Sequence, residues 1–364
     1  MVPSPRPHRR ESMARVRDGG PRDESGERED GDGDDQRPRP QRPRPDHRPV
    51  RFGVRAHRLA GQRGHPSPDP LVAPPGGPAV GSLPLLGRRE TRSLLARHGL
   101  RPRTSLGQHF LVDPNTIRKI VRAAAVAPGE LLVEVGAGVG ALTVALAGEG
   151  ASVVAIEQDR GLGPALAETV GALANVDVVW GDALSVDYDR LLDGRPARVV
   201  SNLPYQIATP LVLLMLADVA PISELLVMVQ LEVGERLVAA PGTAAYGAVS
   251  AKIAYLADAR VEFRVSRSVF LPEPDVESVV VRLRRRTVAP VVGSRRRLFA
   301  VIDAGFATRR KTIRNALRGA GLSLEVVEAA LVGAGVDGSV RAERLGLSEF
   351  AAIAQEVDVP GVRR

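Results

Sequence analysis

Apolar positions along this chain fall into two rhythms, which change over near residue 290. From 131 to 284, short runs rich in valine, isoleucine and leucine alternate with segments of helical spacing. The runs at 131–135, 153–156, 176–179, 198–201, 224–230, 259–265 and 278–284 read as strands, and 141–147, 161–174, 210–217 and 233–239 as the helices between them. Strands separated by helix-length segments predict a parallel sheet covered on both faces, with ligands received at the strand carboxyl ends. Ahead of this series, 91–98 and 115–125 read as short helices, the second carrying Ile117, Ile120 and Val121 at helical spacing. Beyond it no strand signal remains, and 298–307, 311–320, 323–334 and 348–356 are helical between glycine-rich turns. The expected architecture is a doubly wound α/β domain over 89–288 followed by a small all-helical domain over 289–364.

Composition changes the picture at the amino terminus. Residues 1–88 hold more than half of the 29 prolines of the 364-residue chain, no lysine and few large apolar side chains. Such a segment cannot bury enough apolar surface to offset the entropy of ordering it, so a disordered tail is expected there. The chain has no cysteine, which excludes a disulfide framework, a Cys-ligated zinc and a thiol nucleophile. No apolar h-region follows the amino-terminal arginines, and no run approaches the roughly 18 apolar residues of a membrane span. A soluble, cytoplasmic protein without a membrane partner is expected.

Charge is distributed unevenly. From Arg282 to Arg318 the basic residues Arg282, Arg284–Arg286, Arg295–Arg297, Arg309–Lys311, Arg314 and Arg318 meet a single acid, Asp303. A block this one-sided is the electrostatic footprint of a phosphate backbone, although charge runs more often form a solvated face.

Candidate chemistry lies at the ends of the expected strands. The first strand runs into Glu134-Val135-Gly136-Ala137-Gly138-Val139-Gly140, a glycine-rich strand-to-helix loop whose backbone can approach a ligand closely. Glycine spacing alone does not separate a dinucleotide from other nucleotide-like ligands. The acid Glu134 does, because it suits a cationic, zwitterionic ligand better than a pyrophosphate. Glu157 ends the second strand, where a carboxylate accepts from ribose hydroxyls, and Asp182 follows the third, within reach of an adenine amino group. Asn202-Leu203-Pro204-Tyr205 follows the fourth. An exocyclic amine is a poor nucleophile because its lone pair is delocalised into the ring. A side-chain amide oxygen and a backbone carbonyl accepting its N–H bonds would localise that pair, and an aromatic ring would hold the base flat. Asn202, the Leu203 carbonyl and Tyr205 supply these parts, and Pro204 stiffens the turn.

Taken together these residues resemble the ribosomal RNA adenine dimethyltransferases, most closely the small-subunit enzymes, from about Arg89 to Ile353. The resemblance also rests on Gly107-Gln108-His109-Phe110-Leu111, on Phe270-Leu271-Pro272-Glu273-Pro274 with Val276 and Ser278, and on Arg309-Arg310-Lys311-Thr312 with Asn315. It implies a Rossmann-like methyltransferase sheet and S-adenosylmethionine as cofactor, contacted at His109, Leu111, Gly136, Glu157, Asp182 and Asn202. It also implies that Phe270 stacks the target adenine opposite Tyr205, with Asn202, Leu203 and Pro204 forming the rest of the catalytic turn. No metal is implied. The implied reaction places two methyl groups on N6 of each of two adjacent adenosines near the 3′ end of small-subunit rRNA, in an assembling 30S subunit, by a monomer. The family usually has asparagine where this chain has His109. Rival readings are an NAD-dependent oxidoreductase, opposed by Glu134 and the Asn202 turn; a non-enzymatic ribosome-assembly factor; and the related large-subunit methyltransferase, opposed by Arg309–Thr312 and by Ile207–Pro210.

Overall fold

The computed structural model describes residues 84–103 and 107–360. The expected disordered tail therefore lies outside the described residues, save for 84–88. There Leu85 and Leu86 already pack against the core and Arg88 opens a helix, so order begins a few positions earlier than composition indicates.

In chain order the elements are α1 (Arg88–Arg97), β1 (Phe110–Leu111), α2 (Pro114–Ala124), β2 (Leu131–Val135), α3 (Ala141–Gly148), β3 (Ser152–Glu157), α4 (Gly163–Val170), β4 (Val176–Trp180), α5 (Tyr188–Leu192) and β5 (Ala197–Asn202). They continue with α6 (Ala208–Asp218), β6 (Ile222–Gln230), α7 (Leu231–Val238), α8 (Ala248–Leu256), β7 (Ala257–Val265), β8 (Phe270–Leu271) and β9 (Ser278–Arg285). The last four are α9 (Arg295–Phe306), α10 (Ile313–Gly319), α11 (Leu324–Gly333) and α12 (Leu347–Glu356). Local chemistry sets several boundaries. Asp113 caps α2 by accepting from Thr116 N, Pro114 fits its first turn, and Ala125 ends it in a left-handed conformation at φ 47°.

The main sheet has the order β4-β3-β2-β5-β6-β9-β7. Strands β4, β3, β2, β5 and β6 are parallel, and β2, buried along its whole length, stands at the centre. The expectation of a wholly parallel sheet is corrected at one edge, because β9 runs antiparallel to both β6 and β7. The 266–277 link between β7 and β9 carries only a 3-10 turn and β8. Without a crossover helix to carry the chain back across the sheet, it returns as a hairpin. Strand β8 pairs instead with β1 in a small antiparallel ribbon, Phe110 opposite Leu271 and Leu111 opposite Phe270.

At the amino ends of the parallel strands lies a charge network. Glu224 on β6 holds Arg198 of β5 and Arg282 and Arg284 of β9, Glu130 also pairs with Arg198, and Glu262 with Arg282. Arg198 and Arg282 donate onward to the carbonyls of Ala124 and Ala123 at the end of α2. Arg285 donates to the carbonyls of Met215, Val219 and Ile222, and Arg286 pairs with Asp258. The Arg282–Arg286 part of the basic block is therefore spent on the fold, which narrows the expected phosphate-binding footprint.

Helices α9–α12 enclose a second core of Leu298, Val301, Leu317, Leu331, Phe350 and Ile353, which Tyr246 and Ala251 also join. Lys252 on α8 pairs with Asp303 on α9, neutralising the block's one acid. Arg309, Arg310 and Lys311, in the turn between α9 and α10, are exposed, as is Arg318. Among the described residues no helix is long and apolar enough to cross a membrane.

Candidate active site

Successive connections carry the chain from β2 outward to β3 and β4, then back to β5 on the other side of β2. The loops leaving β2 and β5 therefore diverge, and a cleft of about 1050 Å³, open mouth included, lies between them. Direct pairing of these strands stops at Val133 opposite Val199. Two residues further along each strand, the buried Ser201 hydroxyl stands between them. It accepts from Val135 N at 3.0 Å and donates to Val135 O at 2.6 Å, so a side chain replaces the ladder where the strands part.

The glycine-rich loop forms one wall. Gly136, Gly138 and Gly140 adopt φ of 78°, 59° and 87°, the left-handed region that side chains disfavour. A Cβ on Gly136 would lie 3.0 Å from Cδ and Cγ of Pro204, so the two loops of the cleft touch here. Beneath the loop Glu134 is wholly buried and accepts from Thr143 Oγ1 at 2.6 Å. Burial pushes this carboxyl up to about 8 against the Thr143 bond, and the charge of Glu157 adds to the rise.

Glu157, at the end of β3, turns into the cleft. Its Oε2 accepts from Gly138 N and its Oε1 from Asp159 N, each at 2.8 Å. Burial raises its pKa, and these backbone bonds oppose the rise. A carboxylate offers about four acceptor sites, so these backbone bonds leave it capacity for a hydroxyl donor. Asp182 is placed differently. Gly181 and Ala183 line the cleft, whereas the exposed Asp182 carboxylate accepts from Leu184 N at 2.9 Å within its own turn.

The Asn202 turn forms the opposite wall. Leu203 N donates to Met228 O at 3.1 Å, which ties the turn to β6, and Ile207 N closes it on Pro204 O at 3.2 Å. Asn202 Nδ2 donates to His109 O at 3.3 Å, so its Oδ1 faces the other way. Tyr205 lines the cleft, its hydroxyl 3.0 Å from Ser278 Oγ; burial raises its pKa and the serine contact opposes this. The His109 ring stacks on Tyr205 with centroids 5.4 Å apart, and its Nδ1 lies 2.9 Å from the Pro272 carbonyl. Leu111 is buried at the cleft floor on β1.

Phe270 is the correction among the expected site residues. It is fully buried in the core that Leu111, Ile117 and Val280 share, and it does not line the cleft. Its pairing with Leu111 across the ribbon turns the ring inward, so the ring beside Tyr205 is that of His109. The sequence reading also missed residues that hold the site together. Asp159, Ser201 and Thr143 carry no signature of their own, and only their proximity in sequence to Glu157, Asn202 and the glycine loop could have drawn notice.

This geometry agrees with the comparisons. The family model for ribosomal RNA adenine dimethylase matches residues 99–358. Ribosomal RNA small subunit methyltransferase A of Thermobifida fusca is 48% identical over 74% of this chain and 96% of the relative, and that of Pelotomaculum thermopropionicum 46% identical over 72% and 94%. Among solved structures, the 23S rRNA methyltransferase ErmE superposes with a TM-score of 0.52 at 27% identity, covering 68% of this chain and 99% of that one. A dimethyladenosine transferase from Plasmodium falciparum shares the fold at a TM-score of 0.58 and 21% identity, over 67% and 96%. With a cleft built from the glycine loop, Glu157 and the Asn202 turn, and with that match spanning sheet and helices alike, the chain belongs to the ribosomal RNA adenine dimethylase family.

Proposed function

We propose that this protein dimethylates N6 of two adjacent adenosines near the 3′ end of small-subunit rRNA, using S-adenosylmethionine. The observation that carries the reading is the contact between the two walls of the cleft. Gly136 of the nucleotide-side loop lies against Pro204 of the turn that presents Asn202 and Tyr205, so a methyl donor on one side and an amine on the other would meet without further motion. Three features of the cleft fit that cofactor: a loop whose backbone lies so close to its neighbours that a Cβ at Gly136 would crowd Pro204 and one at Gly138 would crowd Phe110, a carboxylate at Glu157 placed for hydroxyl donors, and the acid Glu134 beneath.

When bound, S-adenosylmethionine supplies an electrophilic methyl on a sulfonium leaving group. The chain's part is binding and orientation. Glu157 accepts from the ribose, with His109, Leu111, Gly136 and Asp182 completing the pocket and its rim. Asn202, held by His109 O through Nδ2, turns Oδ1 toward the target amine. Oδ1 and the Leu203 carbonyl accept the two N6 hydrogens, which localises the nitrogen lone pair. Tyr205 offers its ring to the base and is held by Ser278. The new C–N bond forms as the C–S bond breaks, and the N6 proton then leaves to water. Catalysis is then positioning and electrostatics.

RNA is held by the exposed Arg309, Arg310, Lys311 and Arg318 of the helical domain, 289–364, while 89–288 carries the chemistry. The protein acts as a cytoplasmic monomer on the assembling 30S subunit. The test is mass spectrometry of rRNA from cells lacking the protein, beside transfer of labelled methyl to purified small-subunit particles. Absence of N6,N6-dimethyladenosine in the deleted cells and its restoration in vitro support the reading. Dimethyladenosine unchanged in deleted cells, or found lost from large-subunit rRNA, refutes it.

A further inference from the structure

Beside the cleft, the carboxylate of Asp159 gathers donors from three directions. It is 8% exposed. Its Oδ1 accepts from Gly161 N at 3.0 Å and from Arg103 Nη1 at 3.2 Å, and its Oδ2 from Gln108 Nε2 at 2.7 Å. Its own N–H holds Glu157 Oε1. Gln108 cannot turn its amide over, because Oε1 is already taken by Arg103 N at 2.8 Å. The next residue is His109, whose carbonyl receives Asn202 Nδ2. An unbroken path thus runs from Gly138 through Glu157, Asp159 and Gln108 to His109 and Asn202, linking the two walls of the cleft around its rim.

We infer that Asp159 is a positioning residue that holds the Gln108–Leu111 segment against the cleft and, through the His109 carbonyl, fixes which way the Asn202 amide faces. This inference rests on the methyl-transfer reading for its consequence, but not for its structural content. If Asn202 Nδ2 lost the His109 carbonyl, the amide would be free to rotate, and half of its orientations would present N–H groups to the target amine in place of an acceptor. An acid is required at 159 because it must accept from several N–H donors at once. An amide there can keep Gly161 N on its oxygen only by pointing its own NH2 at the Gln108 donor.

The test exploits that donor conflict. Asp159→Asn sets donor against donor, Gln108→Glu sets carboxylate against carboxylate, and the double variant restores a donor and an acceptor in the same places. Hydrogen exchange of the peptide 107–113 is measured in the ligand-free protein, and single-turnover methyl transfer at saturating cofactor and RNA beside it. Each single variant should speed exchange and slow transfer by about tenfold, the scale of a coupling between contacting groups. The double variant should return both to within about threefold of the wild type. Wild-type exchange in Asp159→Asn, or a double variant no better than the singles, overturns the inference. So does faster exchange with an unchanged transfer rate, since Asn202 would then be oriented by something else. If the wild-type protein transfers no methyl at all, the functional reading falls, and the exchange measurement still decides whether Asp159 holds the segment.

Discussion

Replacing Gly136 with alanine tests the contact on which the functional reading turns. Gly136 sits at φ 78°, and an L-residue held in the left-handed region costs roughly 1–2 kcal/mol. The new Cβ would also lie 3.0 Å from two carbons of Pro204, well inside the ordinary carbon–carbon separation of about 3.5–4.0 Å. Relief requires the glycine loop and the Asn202 turn to move apart by about half an ångström. Since a misplacement of about 1 Å can cost about a hundredfold in rate, the methyl-transfer step should slow by about tenfold. Gly194→Ala is the control, because Gly194 has φ 68° and nothing within 4 Å of its Cβ position. It carries the backbone cost alone, about 1–4 °C in Tm for a chain of this size. Thermal denaturation and single-turnover transfer, run on both variants, separate the two terms. The reasoning fails if Gly136→Ala transfers methyl as fast as Gly194→Ala, for the loops would then have room that the structure denies them.

Glu157→Ala should weaken cofactor binding by about 1.5–3 kcal/mol, measured by calorimetry, because hydrogen bonds to a charged group are lost. Replacing Arg309, Arg310 and Lys311 together with alanine should flatten the salt dependence of RNA affinity by about three phosphate contacts and leave cofactor binding intact; titrations at several salt concentrations check it. Folding raises the Glu134 carboxyl from its ordinary 4.5 to about 8, so the native state binds the extra proton in that window. The contribution of Glu134 to the stability of the ligand-free protein should therefore fall as pH rises from about 4.5 to 8, by at most about 1.4 kcal/mol per pH unit, and Glu134→Gln should lessen the decline in denaturant titrations.

Much of the parallel half of the sheet was legible, because a buried strand such as β2 is apolar throughout and the acids that end the strands break the pattern visibly. The antiparallel edge was not, since Val279–Val281 reads the same in either direction and only the short 266–277 link decides it. Within the site, the glycines and the Asn202 turn could be read because backbone geometry restricts which residues serve there. Phe270 could not: an aromatic beside Pro-x-Pro is equally suited to a core and to a stacking face, and ribbon pairing chooses between them. The arginine block misled in part because charge counted along a chain ignores carboxylates brought in from elsewhere. Glu224 and Glu262, distant in sequence, absorb arginines that looked free.

That same network gives the sheet two unlike ends. Where β2, β5, β6 and β9 begin or finish at the far side from the cleft, Arg198, Glu224, Glu130 and Arg282 stake them together with the end of α2. At the cleft, beyond Val133 and Val199, a single serine hydroxyl spans β2 and β5. The β2–β5 seam, pinned at one end and joined at the other by that hydroxyl, the Gly136–Pro204 contact and the path through Gln108 and His109, forms a wedge whose apex cannot travel. Ligands of different thickness, an unmethylated base and then a singly methylated one, would be accommodated by small changes in its opening angle and not by sliding of strands. The register that aligns the donor loop with the acceptor turn would thereby persist through successive rounds of transfer.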